Sequence, residues 1–426
     1  MRTTDQGLPE LVELEKHVSS SRIEDVEDAT LRELRTLQLS IEPGSSIAVA
    51  VGSRGMDNLA AIVKAVVGFV KSQNADAFVV PSMGSHGGAT APGQEEVLAG
   101  YGVTQEQIGA PIRSNMEVVE LPSTGVGNRV FMDRLAYEAD GVILINRVKP
   151  HTDYRGFPES GLLKMATIGL GKHAQALDIH ERGVAGLKSC ILPTARNVLA
   201  TGRIIAGVAT VEDAHDRTMI VRALRPEEFE AEEERLLAVA DEHLARIPID
   251  RADLLIVDEM GKNISGTGLD PNVIGRIKVP GQTEPETPRF SMIVVTDLTD
   301  ASHGNAVGMG LADVVTRRLA RKIDYAATYE NVVTSSFLER GKLPIVADSD
   351  EEAVRIALRG AAIVERDRAR IVRIRNTLQP YRLMVTRPVC DELRQHPGIR
   401  IVRHSVPMVR DGALCPWSGS SATGSA

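Results

Sequence analysis

The chain has 426 residues, 43% hydrophobic, 25% charged and only 3% aromatic. That composition excludes a peptide module or a disordered chain and calls for two α/β domains with cores of Val, Ala, Leu and Ile. A formal charge of -8 offers no general attraction to nucleic-acid phosphates or anionic lipid, and Cys190, Cys390 and Cys415 lie too far apart for a disulfide framework or a thiolate metal site. With no leader-like start and no apolar run of membrane length, the chain reads as cytoplasmic.

Strand and helix signals alternate from about residue 45, the pattern of βαβ units and a mostly parallel sheet. Ser46 to Val51 form the first expected strand, broken by Gly52 to Gly55. Asp57 is then placed to cap a helix whose apolar residues Leu59, Ile62, Val63, Val66, Val67 and Val70 recur at three and four. Ala77 to Val80 make the second strand, followed by the turn MGSHGG and a helix from Gln94 to Leu98. Gly141 to Ile145 make the third, with Lys149-Pro150-His151 in the loop beyond it. In open α/β sheets the carboxyl ends of the strands share one edge where ligands bind, so Arg54, His86, Lys149 and His151 are expected to converge.

Pro226 to Arg246 read as a charged helix with an apolar stripe, after which the strand pattern restarts, and the domain boundary is set near residue 248. Further strands are expected at Leu254 to Val257, Ser291 to Thr296 and Leu343 to Ala347, with helices near Asn305 to Ile323 and Glu351 to Ala369. The tail from Cys415 is small and polar and is read as flexible. The organisation is therefore 1–248, 249–414 and a 415–426 tail: two domains with mostly parallel sheets and the active site in the cleft between them.

No common signature carries the chemistry. Gly169 to Ala174 has the form G-x-G-x-x-A without a strand before it, and the phosphate-loop, zinc-protease and serine-hydrolase patterns are absent. What stands out is histidine and lysine beside glycine: His86 in MGSHGG, His151 in KPHTDYRG, and His173 and His180 in GKHAQALDIHERG. Small neighbours let backbone and ligand approach closely. His17, His215, His243, His396 and His404 lie on ordinary polar stretches, and His303 in DASHGNAVG is intermediate. Lysine is scarce, with eleven against thirty-eight arginines, yet Lys149, Lys164, Lys172, Lys262 and Lys278 all fall in or beside the glycine-containing segments. A lysine amine forms covalent bonds that guanidinium cannot, and the apolar flanks of Lys164 argue against full exposure. Gly261 to Arg276 read as one long loop, where Lys262, Asp270, Asn272 and Arg276 are candidates to face a substrate carboxylate.

Taken in order, Ser53-Arg54, Gly84-Ser85-His86, Lys149-Pro150-His151, Lys164 and His180 resemble the motif series of the nickel-dependent lactate racemase family of 2-hydroxy acid racemases and epimerases. The match spans residues 45 to 185 and, more loosely, the rest. It implies an active site between two α/β domains and a nickel pincer nucleotide, a pyridinium mononucleotide with thioamide and thiocarboxylate arms. By resemblance Lys164 is the lysine bonded to that cofactor and His180 the protein ligand of nickel. His86 and His151 are the acid/base pair and Arg54 a substrate-binding arginine. Lys278, with Lys262 as its rival, is the substrate cation of the second domain. The implied reaction is reversible hydride transfer between a 2-hydroxy acid and the cofactor, which avoids building a carbanion beside a carboxylate. Enzymes that build the cofactor are the implied partners.

The sequence departs from the family pattern at several positions. Val51 stands where an aspartate is usual, Ser85 replaces a threonine, Lys149 replaces the first histidine of a His-Pro-His, and Ile168-Gly169 replaces a Pro-Gly. The interval from His151 to Lys164 is also longer. The extra charge of Lys149 admits a dicarboxylic or sugar acid as substrate. Two other classes remain open: a metal-dependent hydrolase or dehydratase with His86, His151 and His180 as direct ligands, and a non-catalytic binding protein on the same scaffold.

Overall fold

A computed structural model of the chain describes residues 7–52, 55–123 and 127–419. By its internal contacts the chain divides into two compact units, Ser20–Leu244 and a second made of Met1–Ser19 with Ala245–Ala426.

In the first unit a five-stranded sheet runs in the order Asp76–Pro81, Ser46–Val51, Gly141–Arg147, Ile204–Glu212 and Thr218–Leu224. The first four strands are parallel and the last is antiparallel. Both faces of Ser46–Val51 are buried, which is why it reads as an unbroken apolar run. Ile47, Val49 and Val51 face a core with Ile62, Val63, Val66 and Val70 of the helix Leu59–Ser72. Ala48 and Ala50 face the other core with Val142, Leu144, Leu162 and Leu163. Each fully buried Val, Leu or Ile side chain in these cores contributes about 1.5–3 kcal/mol through burial. Asp57, the expected cap of Leu59–Ser72, instead accepts a hydrogen bond from the Thr218 N–H at 2.9 Å.

The chain leaves Ser46–Val51 for one side of the sheet at Asp76–Pro81 and returns on the other side at Gly141–Arg147. The strand order thus reverses between two adjacent parallel strands, and in open α/β sheets ligands bind at the carboxyl ends of strands at such a point.

The second unit has an eight-stranded sheet in the order Ile345–Ala347, Val314–Thr316, Arg289–Leu298, Arg251–Met260, Ile371–Ile374, Arg382–Val385, Leu11–Lys16 and Ile399–Val406. The first five strands are parallel, and the last three join antiparallel. Leu11–Lys16 thus lies with the second unit, and the division falls at residues 244 and 245 where the sequence placed it near 248. The tail differs from expectation as far as Ser418. Trp417 Nε1 donates to Asp258 at 2.7 Å, and the Ser418 hydroxyl donates to Glu13 at 2.6 Å.

The expected helix Asn305 to Ile323 does not form as one element. It is a tight turn at Met309–Leu311, a strand at Val314–Thr316 and a short helix at Arg317–Arg321. A Cβ on Gly310 would stand 2.0 Å from the Glu339 carbonyl oxygen, so close backbone contact dictates the path there. Val314 and Val315 are held by parallel pairing on both sides, a tertiary contact that outweighs helix periodicity. Among the described residues no helix is long and apolar enough to cross a membrane.

Candidate functional site

The first unit carries His86 beyond Asp76–Pro81, Lys149 and His151 beyond Gly141–Arg147, and Lys164 and His180 on the helical segment that follows. Arg54 lies outside the described residues. Lys262 and Lys278 belong to the second unit.

His151 is buried at 8% exposure and sits in a loop organised by one carboxylate. Glu159 accepts the His151 N–H at 2.8 Å and the Gly156 N–H at 2.9 Å, closing residues 151 to 159 on themselves. Burial pushes the Glu159 carboxyl above its ordinary value, against the lowering effect of these two hydrogen bonds. The His151 ring has a defined polarity. Its Nδ1 accepts the Asp153 N–H at 3.0 Å, so the neutral ring carries its proton on Nε2. The Asp153 carboxylate stands 3.6 Å from the same Nδ1, where it stabilises an imidazolium.

Tyr154 links His151 to Lys164. The two rings of His151 and Tyr154 have centroids 4.5 Å apart, and the Lys164 ammonium lies 5.6 Å from the Tyr154 centroid. The tyrosine is buried at 1% exposure, with its hydroxyl donating to the Pro158 carbonyl at 2.8 Å. Lys164 Nζ also donates to the Glu159 carbonyl at 3.3 Å. The half-buried lysine thus rests on the same loop that holds His151.

Lys164 ends the short helix Gly161–Lys164, whose start is fixed from two sides. Asn146, at the end of the central strand, donates to the Gly161 carbonyl at 2.7 Å. Glu233, 1% exposed on the helix Phe229–Glu242, accepts from the N–H groups of Leu162 and Leu163. Ser160, immediately before this helix, makes no capping bond to it and instead accepts the Lys149 N–H at 2.7 Å. Gly161 has φ +81°, and a Cβ there would lie 2.2 Å from Glu233 Oε1. Beyond Lys164 the helix widens into a π turn over Met165–Gly169, an irregularity frequent at functional sites.

His180 closes the helix Lys172–His180. Its Nδ1 lies 2.7 Å from the Ala176 carbonyl, which only accepts, so Nδ1 carries the proton and Nε2 presents the lone pair. Burial, joined by the charge of Lys164, holds the imidazole below its ordinary pKa. The two residues are therefore within electrostatic reach. His173, seven residues earlier and so on the same helix face, has a buried Nδ1 with no hydrogen-bond partner among the described residues. An unmatched buried nitrogen is a position that a bound polar group satisfies.

The turn carrying His86 is seated against this helical segment. Gly84 N–H reaches the Gly169 carbonyl, and a Cβ on Gly84 would stand 3.0 Å from Ile168 Cγ2 and 3.8 Å from Ala176 Cβ. Gly169 answers it: a Cβ there would lie 2.7 Å from the Ser82 carbonyl oxygen. The glycines of the G-x-G-x-x-A segment thus include one needed for this packing. The His86 side chain itself is exposed.

Other sequence candidates are committed elsewhere. Lys149 pairs with Asp216 at 3.3 Å. Lys262 Nζ donates to Gly266 and Asn331, and Lys278 Nζ donates to the Gly310 carbonyl at 2.8 Å. Burial and the neighbouring Arg276 charge lower the Lys278 pKa. Asp270 and Asn272 are buried, Asp270 as the cap of the short helix Pro271–Ile274, and Arg276 pairs with Asp313 at 2.7 Å. Among the described residues no three His, Cys, Asp or Glu side chains stand close enough to hold a metal ion, so His86, His151 and His180 do not form a direct ligand set.

Sequence reasoning missed Asp153, Tyr154, Glu159 and Glu233. Tyr154 carries a usable signal, since the chain has only six tyrosines and this one lies between two of the singled-out motifs. Glu233 carries none, being one acid among many in FEAEEER.

The sequence matches no protein-family model and no curated protein. The fold is similar to that in the structure of the lactate racemase apoprotein from Thermoanaerobacterium thermosaccharolyticum. That likeness has 12% sequence identity and a TM-score of 0.51, over 87% of this chain and 99% of that one. At such identity the comparison shows the fold: an α/β chain with two main, mostly parallel mixed sheets.

Proposed function

We propose that the chain is a 2-hydroxy acid racemase or epimerase that works with a nickel pincer nucleotide bonded to Lys164. The observation that carries this reading is a half-buried lysine amine within electrostatic reach of one imidazole, His180, whose Nδ1 is committed to the Ala176 carbonyl so that Nε2 keeps its lone pair. That donor set fits the group. A nickel(II) carried by the pincer would need one imidazole from the protein, whereas a directly ligated zinc or iron needs several protein ligands. Lys164 would supply the amine for the covalent link, His180 the metal ligand, and His173 Nδ1 a further polar contact. When bound, the group supplies a reversible acceptor for the hydrogen on the hydroxyl-bearing carbon.

The chain's own residues handle protons and position. His151 in its neutral form donates from Nε2 toward a substrate oxygen. To act as the base it shifts its own proton to Nδ1, which turns from accepting the Asp153 N–H to donating to the Asp153 carboxylate, so that the Nε2 lone pair is free to take the substrate hydroxyl proton. His86, on an exposed turn, is the second acid/base group, so that either enantiomer meets a base. Tyr154 packs against the His151 ring and under the Lys164 ammonium, so its ring fills part of the space between them. Arg54 and Lys149 are the proposed carboxylate partners in this unit, and Lys278 or Lys262 in the second. A second acidic group on the substrate must compete with Asp216 for Lys149.

The test is a chiral assay of hydroxy monocarboxylic, dicarboxylic and sugar acids in D2O, with chain co-produced with cofactor-building enzymes. Inversion of one acid with its carbon-bound hydrogen retained, lost in His151→Ala, is the expected result. Deuterium entering that carbon at every turnover, or inversion unaffected by Lys164→Ala, would contradict the reading.

A further inference from the structure

Asp133, Gln94 and Lys172 are each 0% exposed, so none touches a substrate, yet they are joined in one polar cluster between the two histidine-bearing segments. Lys172 Nζ lies 2.9 Å from Asp133 Oδ2, donates to the carbonyl of Pro81 at the end of its strand, and lies 3.4 Å from Gln94 Oε1. Of the three acceptor oxygens around the ammonium, those of Pro81 and Gln94 take its hydrogen bonds, and Asp133 Oδ2 meets it as an ion pair without hydrogen-bond alignment. Gln94 in turn donates from Nε2 to the Gly84 carbonyl at 3.0 Å and to the His86 carbonyl at 3.2 Å.

The direction of the Gln94 amide is dictated by its neighbours. Lys172 can only donate, so it must face Oε1, and the two carbonyls can only accept, so they must face Nε2. Removing the ammonium therefore removes the group that aims the amide at the turn. Asp133 is anchored as well: its Oδ1 caps the next helix by accepting the Ala136 N–H at 3.0 Å, and its own N–H donates to the Leu170 carbonyl at 2.7 Å. Lys172 has φ +54°, a conformation that glycine adopts without cost and lysine does not. Lysine at a position whose backbone favours glycine points to a task for its side chain. Lys172 also opens the helix that ends in His180.

We propose that Lys172, Asp133 and Gln94 form a buried strut whose role is to hold the His86 turn in register with the helix bearing His180. This rests on the reading of His86 as an acid/base group and His180 as the nickel ligand. All three are positioning residues: they act through the backbone of the turn and the start of the helix. Lys172 is thereby distinguished from Lys164, whose amine is only half buried.

The experiment uses the full chain as wild type, Gln94→Met and the double variant Lys172→Met/Asp133→Leu, which removes the buried pair together and leaves no uncompensated charge. Hydrogen–deuterium exchange without cofactor reads the turn Gly84–Ala89 against the helix Leu59–Ser72. Both variants are expected to speed exchange in the turn by about tenfold while the reference helix is unchanged. In matured enzyme the same variants lower kcat by about tenfold with KM changed less than about twofold, the mark of misplaced rather than weaker binding. Unchanged turn exchange in Gln94→Met would overturn the strut, and so would loss of cooperative folding in that variant, which would assign Gln94 to the stability of the whole unit. If no variant, including wild type, inverts any hydroxy acid, the racemase reading fails while the exchange data still decide the strut.

Discussion

Glu233 caps the helix that carries Lys164 from a fully enclosed position, and burial pushes its pKa from the ordinary 4.5 up to about 8. Between those values the folded chain keeps a proton that the unfolded chain has lost. Its contribution to stability is therefore fully present below pH 4.5 and is lost as pH rises through 8, at about 1.4 kcal/mol per pH unit. Glu233→Gln keeps one of the two acceptor oxygens that face the Leu162 and Leu163 N–H groups and does not titrate. Urea unfolding at pH 5 to 8 is expected to show a smaller fall in stability with rising pH for Glu233→Gln than for wild type. Equal pH dependences would contradict the enclosed, protonated carboxyl. At this scale the sequence revealed the residues with distinctive chemistry and hid those that arrange them. Lys164 and His180 stand out by type and glycine-rich setting. Glu233 is recognisable only once the fold carries it across about seventy residues to the Leu162 N–H.

The elements that hold the site depend on close backbone approach, most plainly where the His86 turn meets the π turn. Gly169 is at an ordinary backbone angle, so a substitution there tests space alone. Its Cβ would lie 2.7 Å from the Ser82 carbonyl and 3.1 Å from Met165 Cγ. Gly169→Ala is expected to destabilise the first unit by about 1–3 kcal/mol, read as a lower thermal midpoint. A neutral result would show that the turn and the helix do not press together. The strands and helices of this unit were legible because a parallel sheet covered on both faces leaves plain apolar runs such as Ser46–Val51. Asn305 to Ile323 misled because Val314 and Val315 also fit a helical period. What fixes them as strand is pairing with Val294, Val295, Ile345 and Val346, partners distant in sequence.

At the scale of the whole molecule, Leu11–Lys16 pairs between Arg382–Val385 and Ile399–Val406. Glu13 is buried there, and burial opposes its charge. Hydrogen bonds from Ser418 and Arg403 outweigh that opposition and hold the carboxyl below its ordinary value. Domain order along the sequence gave no hint of this return, since an alternating LVELEK suits an edge strand of either unit. Deleting residues 1–19 is expected to abolish the unfolding transition of the second unit in calorimetry while the transition of Ser20–Leu244 survives. Loss of both transitions would contradict the division of the chain. Chemistry at the whole-molecule level turns on whether Lys164 receives the cofactor, and the direct measurement is intact mass with nickel content after production beside the cofactor-building enzymes. The account predicts a mass increase with about one nickel per chain. Both should be absent in Lys164→Ala, and in His180→Ala the mass should be retained with nickel reduced. An unmodified wild-type chain, from a system that loads a lactate racemase, would contradict it.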